Sequence, residues 1–151
     1  MRLKQMCQKV NRSDSPRGCN VKHAKKFVEC EERKVYSISL SCGSQYIGQT
    51  GRCVNHRLRE HNLEASKASN ESYHPIVHSR TCDDCAPYFS DTRILGGHNN
   101  RFGREIIESF AMGTVNNNIS APSLSLTKTE VEFLTPEMTR LLTPRRDARA
   151  F

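Results

Sequence analysis

Hydrophobic and polar positions change period several times along the chain, and each change predicts an element. From Lys34 to Leu40 the pattern alternates: Tyr36, Ile38 and Leu40 fall on one side, Ser37 and Ser39 on the other, as in a short strand. Ser41-Cys42-Gly43-Ser44 is a turn, and Gln45-Tyr46-Ile47-Gly48 is the returning strand of a hairpin. Gly48-Gln49-Thr50-Gly51 then breaks the chain before a helix expected from about Arg52 to Leu63. On that helix Val54 and Leu58 lie one turn apart, and Arg57 and His61 share a neighbouring face. Residues 64–75 are small and polar, a surface loop; Cys82-Asp83-Asp84-Cys85 with Pro87 is a tight turn. Thr92 to Leu95 predicts a third, edge-like strand, and Arg101 to Met112 a second helix. Phe102, Ile106 and Phe110 form its inward stripe, widened by Ile107 and Ala111. Asn116 to Ser123 is loop, and Thr127-Lys128-Thr129-Glu130 has capping-box spacing ahead of a short third helix carrying Val131 and Leu134. Beyond Thr135, two Thr-Pro steps and Arg145-Arg146 predict a frayed tail. Strand, strand, helix, strand, helix, helix is the order of a small α/β domain with a short central sheet.

Composition adds an uneven charge. The formal net charge is +7, and residues 1–34 hold ten Lys/Arg against four acids, so most of the excess sits ahead of the first strand. The expected organisation is a disordered basic leader over 1–18, a Cys/His segment over 19–33, a folded domain over 34–134 and a disordered tail over 135–151. A basic arm beside a near-neutral body suits a polyanionic partner such as nucleic acid; a solvated leader is the plain alternative. No apolar run approaches the roughly 18 residues that cross a bilayer, and the start Met1 to Met6 lacks the apolar stretch of an export signal. The expectation is therefore a soluble, intracellular protein without a membrane partner. Seven cysteines make a disulfide framework the poorer reading in that setting and reduced thiols or zinc ligands the better one.

The groups that phosphodiester hydrolysis needs are present together. Tyr36 and Tyr46 stand on adjacent strands of one hairpin, and the next helix carries Arg57 and His61. The second helix adds Glu105 and Glu108. A guanidinium offers paired donors to phosphate oxygens, and a carboxylate-held divalent cation neutralises developing charge. A Tyr or His near the attacking water can take its proton. Singly, each residue has an ordinary structural role, packing for the tyrosines and solvated surface for the helix charges. Their joint arrangement is the signal.

That arrangement resembles the GIY-YIG nuclease family. Lys34-Val35-Tyr36 looks like the first motif, and Tyr46-Ile47-Gly48 is a full YIG at short spacing. Arg57-Leu58-Arg59-Glu60-His61 resembles the family's catalytic Arg with a His one turn on. The run Tyr46 to His61 is especially similar to nuclease domains of Penelope-like retroelements, in which the domain follows a reverse transcriptase; the likeness extends over roughly residues 19–134. It implies a small GIY-YIG-type α/β domain, a three-stranded sheet flanked by helices, acting as a metal-dependent DNA endonuclease with Mg²⁺ or Mn²⁺. It implies DNA and an upstream reverse transcriptase as partners, and a nuclear setting. By resemblance Tyr36 is the general base or water-positioning group and Tyr46 a phosphate or water ligand. Arg57 stabilises the phosphorane, His61 supports the base, and Glu105 holds the metal, with Glu108 the alternative. The chain departs from the family in carrying Lys34 where a Gly stands, and in offering Asn116, Asn117 and Asn118 for one late Asn.

The cysteines form a second element. Cys19-x3-His23, Cys30, Cys42 and Cys82-x2-Cys85 can supply a structural zinc site, and the expected ligands are Cys19, His23, Cys30 and Cys42. Free thiols are the plain alternative. Two other functions compete with a nuclease: a catalytically decayed nucleic-acid-binding module on the same fold, and a small zinc-stapled protein-interaction domain.

Overall fold

The computed structural model describes residues 19, 21–67, 82 and 85–142. The basic leader, most of the polar loop after Ser66, Asp83, Asp84 and the Arg145-Arg146 tail lie outside them. The elements are β1 (Glu32–Leu40), β2 (Gln45–Cys53), α1 (Val54–Ser66), β3 (Pro87–Gly97), α2 (Arg101–Thr114) and α3 (Lys128–Leu142). The strands form one antiparallel sheet in the order β2-β1-β3, so the fold is α/β with β3 at an edge, though β3 runs from Pro87 to Gly97 and not only from Thr92 to Leu95.

Alternation along β1 buries both faces. Tyr36 and Ile38 pack with Val54 and Leu58 of α1 and with Phe89 of β3. Val35 and Ile47 pack on the opposite face with Ile106, Ile107, Phe110 and Ala111 of α2 and with Leu134 and Met138 of α3. Each face thus has its own apolar cluster, which is why Ser37 is buried rather than solvated; its hydroxyl donates to Gln45 Oε1 at 2.7 Å.

Several boundaries differ from the sequence pattern. β2 does not break at Gly48 but pairs with β1 through Thr50 and again at Cys53, with a bulge between Glu32 and Lys34. Arg33 takes the left-handed conformation at that bulge, φ 56°. The first helix therefore begins at Val54, after Cys53. Phe102 is not part of an inward stripe: it is 48% exposed in the first turn of α2, whose N-terminus is capped by the Asn100 side chain accepting from the Phe102 N–H at 2.8 Å. The third helix does not fray at Thr135. Its capping box forms, with Thr127 N–H donating to Glu130 Oε2 at 2.8 Å and Glu130 N–H to Thr127 Oγ1 at 3.3 Å. The helix then runs through Pro136 to Leu142 and buries Met138. Among the described residues no helix is long and apolar enough to cross a membrane.

Candidate active site

The β1–β2 register decides where the two tyrosines go. Tyr36 pairs with Gly48 and Ile38 with Tyr46, so both phenol side chains leave the sheet on the face that α1 covers. Gly48 makes room for them. A Cβ there would stand 2.8 Å from the Tyr36 hydroxyl and 3.0 Å from the Tyr46 ring. The glycine of Tyr-Ile-Gly is thus needed for the close approach of Tyr36 rather than for a turn. On α1, Val54, Leu58 and His61 repeat at helical spacing and are fully buried. The stripe ends on His61, whose Nε2 lies 2.8 Å from the Tyr36 hydroxyl. The Tyr46 ring meets the same imidazole edge-on at a centroid separation of 5.3 Å. Tyr36, Tyr46 and His61 form one contact group.

Arg57, one turn before His61, supplies the cationic charge. Burial works against its protonation, but Glu60 and the two phenols more than offset that and hold its pKa above the ordinary value. Burial pushes both phenols up, Tyr36 furthest, with Arg57 pulling each back. Burial, reinforced by Arg57, pushes His61 down to about 3. At neutral pH the group therefore holds a neutral imidazole, two protonated phenols and one cation. Tyr36 is a neutral hydrogen-bonding phenol in this state, not a phenolate base. Glu60, which the sequence reading passed over, accepts from Arg57 Nη1 at 2.7 Å and pairs with Arg52 Nη2 at 2.7 Å. Its carboxyl is held below the ordinary range by those two arginines, against the effect of burial. The i,i+3 spacing from Arg57 was the available signal.

The two glutamates of α2 part company. Glu105 accepts from Arg101 Nε at 2.9 Å on the exposed side of the helix. Glu108 is buried and accepts from the Ser123 hydroxyl at 3.1 Å. Burial pushes Glu108 up, Ser123 pulls it down and Glu105 adds to the rise. It is Glu108 whose charge acts on both Tyr36 and Tyr46. Glu105 thus faces an arginine partner and Glu108 the loop carrying Ser123.

Asn117 and Asn118 lie against Gln45 at the start of β2. The Asn117 carbonyl accepts from Gln45 N–H at 2.9 Å, and Asn118 Nδ2 donates to the Ser120 carbonyl at 3.0 Å, so this turn ties the chain to the start of β2. Ser123, from the same loop, reaches Glu108 instead. Lys34 keeps regular pairing, with Thr50 on one side and Gly97 on the other. Its side chain lies over Gly97, where a Cβ would be 2.8 Å from Lys34 Cδ. The long Lys34 side chain is accommodated by a glycine on the neighbouring strand.

The thiols sort into two groups rather than one. Cys19, His23, Cys30 and Cys53 bring their ligand atoms within 4.8 Å of one another, and so do Cys42, Cys82 and Cys85. Either group could hold a metal ion such as zinc. Cys42 is therefore not the fourth member of the first set. It lies in the β1–β2 turn, while Cys53 at the far end of β2 takes that place. Extending β2 past Gly48 is what carries Cys53 there, a placement that a strand ending at Gly48 hides. No family model, curated protein or solved structure matches the chain.

Proposed function

We propose that this chain is a GIY-YIG-type endonuclease domain that hydrolyses DNA phosphodiester bonds with a divalent cation. The observation that carries the reading is the meeting of Tyr36 and Tyr46 with His61 on the helix that carries Arg57. In the reaction, water adds to phosphorus, the bond to the leaving sugar oxygen breaks, and the water's proton is removed while the leaving oxygen gains one. Arg57 binds the phosphoryl oxygens as charge builds on them, exchanging part of its hold on Glu60 for the phosphate. Tyr46, half-buried, donates to a phosphoryl oxygen or to the attacking water. Tyr36, hydrogen-bonded to His61, positions that water as a neutral phenol, while solvent takes the water's proton and returns one to the leaving oxygen. Glu108 is the carboxylate suited to Mg²⁺ or Mn²⁺: it is buried, oriented by Ser123 and poorly satisfied as a lone anion. When bound, the cation would neutralise charge on the phosphate and leaving oxygen. Glu105 is the alternative ligand.

The resemblance adds context to this reading: the nuclease part of a retroelement protein, working on DNA in the nucleus, with a reverse transcriptase upstream. A non-cleaving, DNA-binding relative has one observation in its favour, that Tyr36 is fully buried and Arg57 is engaged by Glu60. Nicking of supercoiled plasmid separates the two. The expected result is nicking that requires Mg²⁺ or Mn²⁺, stops in excess chelator, and is lost in Glu108→Gln but kept in Glu105→Gln. Loss in Glu105→Gln alone moves the metal to that carboxylate. Tight DNA binding without nicking under any divalent cation establishes the non-cleaving module.

A further inference from the structure

We propose that Cys19, His23, Cys30 and Cys53 bind one Zn²⁺, which pins the segment ahead of β1 to the start of the helix carrying Arg57 and His61. Three thiols and one imidazole are a complete ligand set for a closed structural site. Tetrahedral zinc with its usual bond lengths separates two sulfurs by about 3.8 Å and a sulfur from a nitrogen by about 3.5 Å. All four ligand atoms here lie within 4.8 Å of one another, and Cys19 Sγ stands 3.3 Å from His23 Nε2. No pair therefore has to close by much more than about 1 Å to reach a tetrahedron.

The surroundings are built to hold this arrangement. The described residues of this segment form no strand or helix, and besides the packing of Phe27 and Val28 on the core the segment needs polar ties to stay in place. Asn55, fully buried in the first turn of α1, does part of that work. Its Oδ1 accepts from the Phe27 and Val28 N–H groups at 2.8 and 3.1 Å, and its Nδ2 donates to the Val28 carbonyl at 2.7 Å. The same Nδ2 lies 3.5 Å from Cys30 Sγ, as an outer-shell donor to a ligating thiolate would. Val54 N–H donates to the Glu31 carbonyl at 2.9 Å. Cys53 occupies the N-cap position of α1 without making a side-chain cap, so its sulfur sits at the positive end of that helix, where anionic ligands are favoured. Zinc would close a loop between Cys19 and Cys53 that contains all of β1 and β2, fixing the angle at which α1 leaves the sheet. A disulfide among the three thiols would leave one sulfur and His23 unused; zinc uses all four.

Zinc content tests this without DNA and so independently of the nuclease reading. The full chain carrying Cys42→Ser and Cys82→Ser, which dismantles the other thiol group, is purified under reducing conditions and its zinc measured by mass spectrometry. The expected result is about one zinc per chain. Replacing zinc with cobalt should give the visible bands of a tetrahedral site and thiolate charge transfer. Cys53→Ser in that background should lose the metal, while His23→Cys, which keeps four ligands, should retain it. If Cys53→Ser is insoluble, His23→Ala serves: it should lower zinc affinity at least about 10-fold. Removing the metal should also speed amide exchange at Phe27 and Val28. A metal-free background protein, or full zinc retention with Cys53→Ser or His23→Ala, overturns the proposal. So does zinc that follows Cys42, Cys82 and Cys85 only.

Discussion

Gly48 faces Tyr36 across the β1–β2 pair, and a single methyl group there would collide with the hydroxyl that bonds His61. The expected outcome of Gly48→Ala is a folded protein whose Tyr36 hydroxyl is displaced by a few tenths of an ångström or more. Small misplacements of reacting groups can lower rate by about 10²-fold, so nicking should fall on that scale while circular dichroism stays unchanged; full activity would show that the close approach does not matter. His61 gives a second prediction at this scale. The unfolded chain takes up its proton near the ordinary value of 6.5, whereas the native imidazole resists protonation until about pH 3. Across that window the unfolded state binds more protons, so stability is fully present above about pH 6.5 and falls as the pH drops, by at most about 1.4 kcal/mol per unit. Glu108 acts in the opposite sense, since burial raises its pKa and stability then falls as the pH rises through its titration. Comparing wild type with His61→Gln isolates the histidine: the wild-type loss in denaturant midpoint between pH 6.5 and 4 should be distinctly steeper. Equal slopes would mean that His61 is not held neutral. At this scale the tyrosines, Arg57 and His61 were legible from motif spacing. The different surroundings of Glu105 and Glu108 were not, because both occupy one helix at i and i+3 and only the packing of α2 against the loop carrying Ser123 separates them.

Elements were legible where periodicity was clean and obscured where a breaker residue sat inside one. α2 reads as amphipathic and is so, except that Phe102, in its first turn, points to solvent. Gly48-Gln49-Thr50-Gly51 reads as a break because glycine weakens strands. Yet Gly48 leaves space for Tyr36, and a Cβ on Gly51 would approach Arg104 Nη2 at 3.1 Å. Arg104 is itself buried, donating to Gln49 Oε1 at 2.9 Å and to the His98 carbonyl at 3.0 Å. It ties α2 to β2 at the point where the pattern suggested no strand. Pro136 misled in the same way. It ends most helices, but here Leu134 and Met138, one turn apart across it, are both buried against the α2 face of the sheet. The gain from burying them offsets a proline penalty of about 3 kcal/mol. Met138→Ala should therefore destabilise the domain by about 2–5 kcal/mol, measured by denaturant unfolding. A change near zero would mean that the chain beyond Thr135 behaves as the frayed tail its sequence suggests.

At the scale of the whole molecule, one sheet arranges the polar and thiol groups. Its α1 face gathers the tyrosines, His61 and Arg57, its α2 face supplies Glu108, and the two ends of β2 lie beside two distinct thiol groups. The thiol grouping was the least legible feature, because which cysteines meet depends on where β2 ends, and spacing along the chain carries no record of that. The charge distribution is legible from sequence alone, and an excess of basic residues ahead of β1 suits a polyanionic ligand. The central claim, that this arrangement cleaves phosphodiester bonds through Arg57, is tested most directly by single-turnover nicking of supercoiled DNA in Mg²⁺ at saturating protein. Loss of one donor to a developing oxyanion typically lowers rate about 10²–10³-fold. Arg57→Ala should fall by that factor while its circular dichroism and its DNA affinity stay close to wild type. Nicking at the wild-type rate by Arg57→Ala, in preparations free of other nucleases, would contradict it.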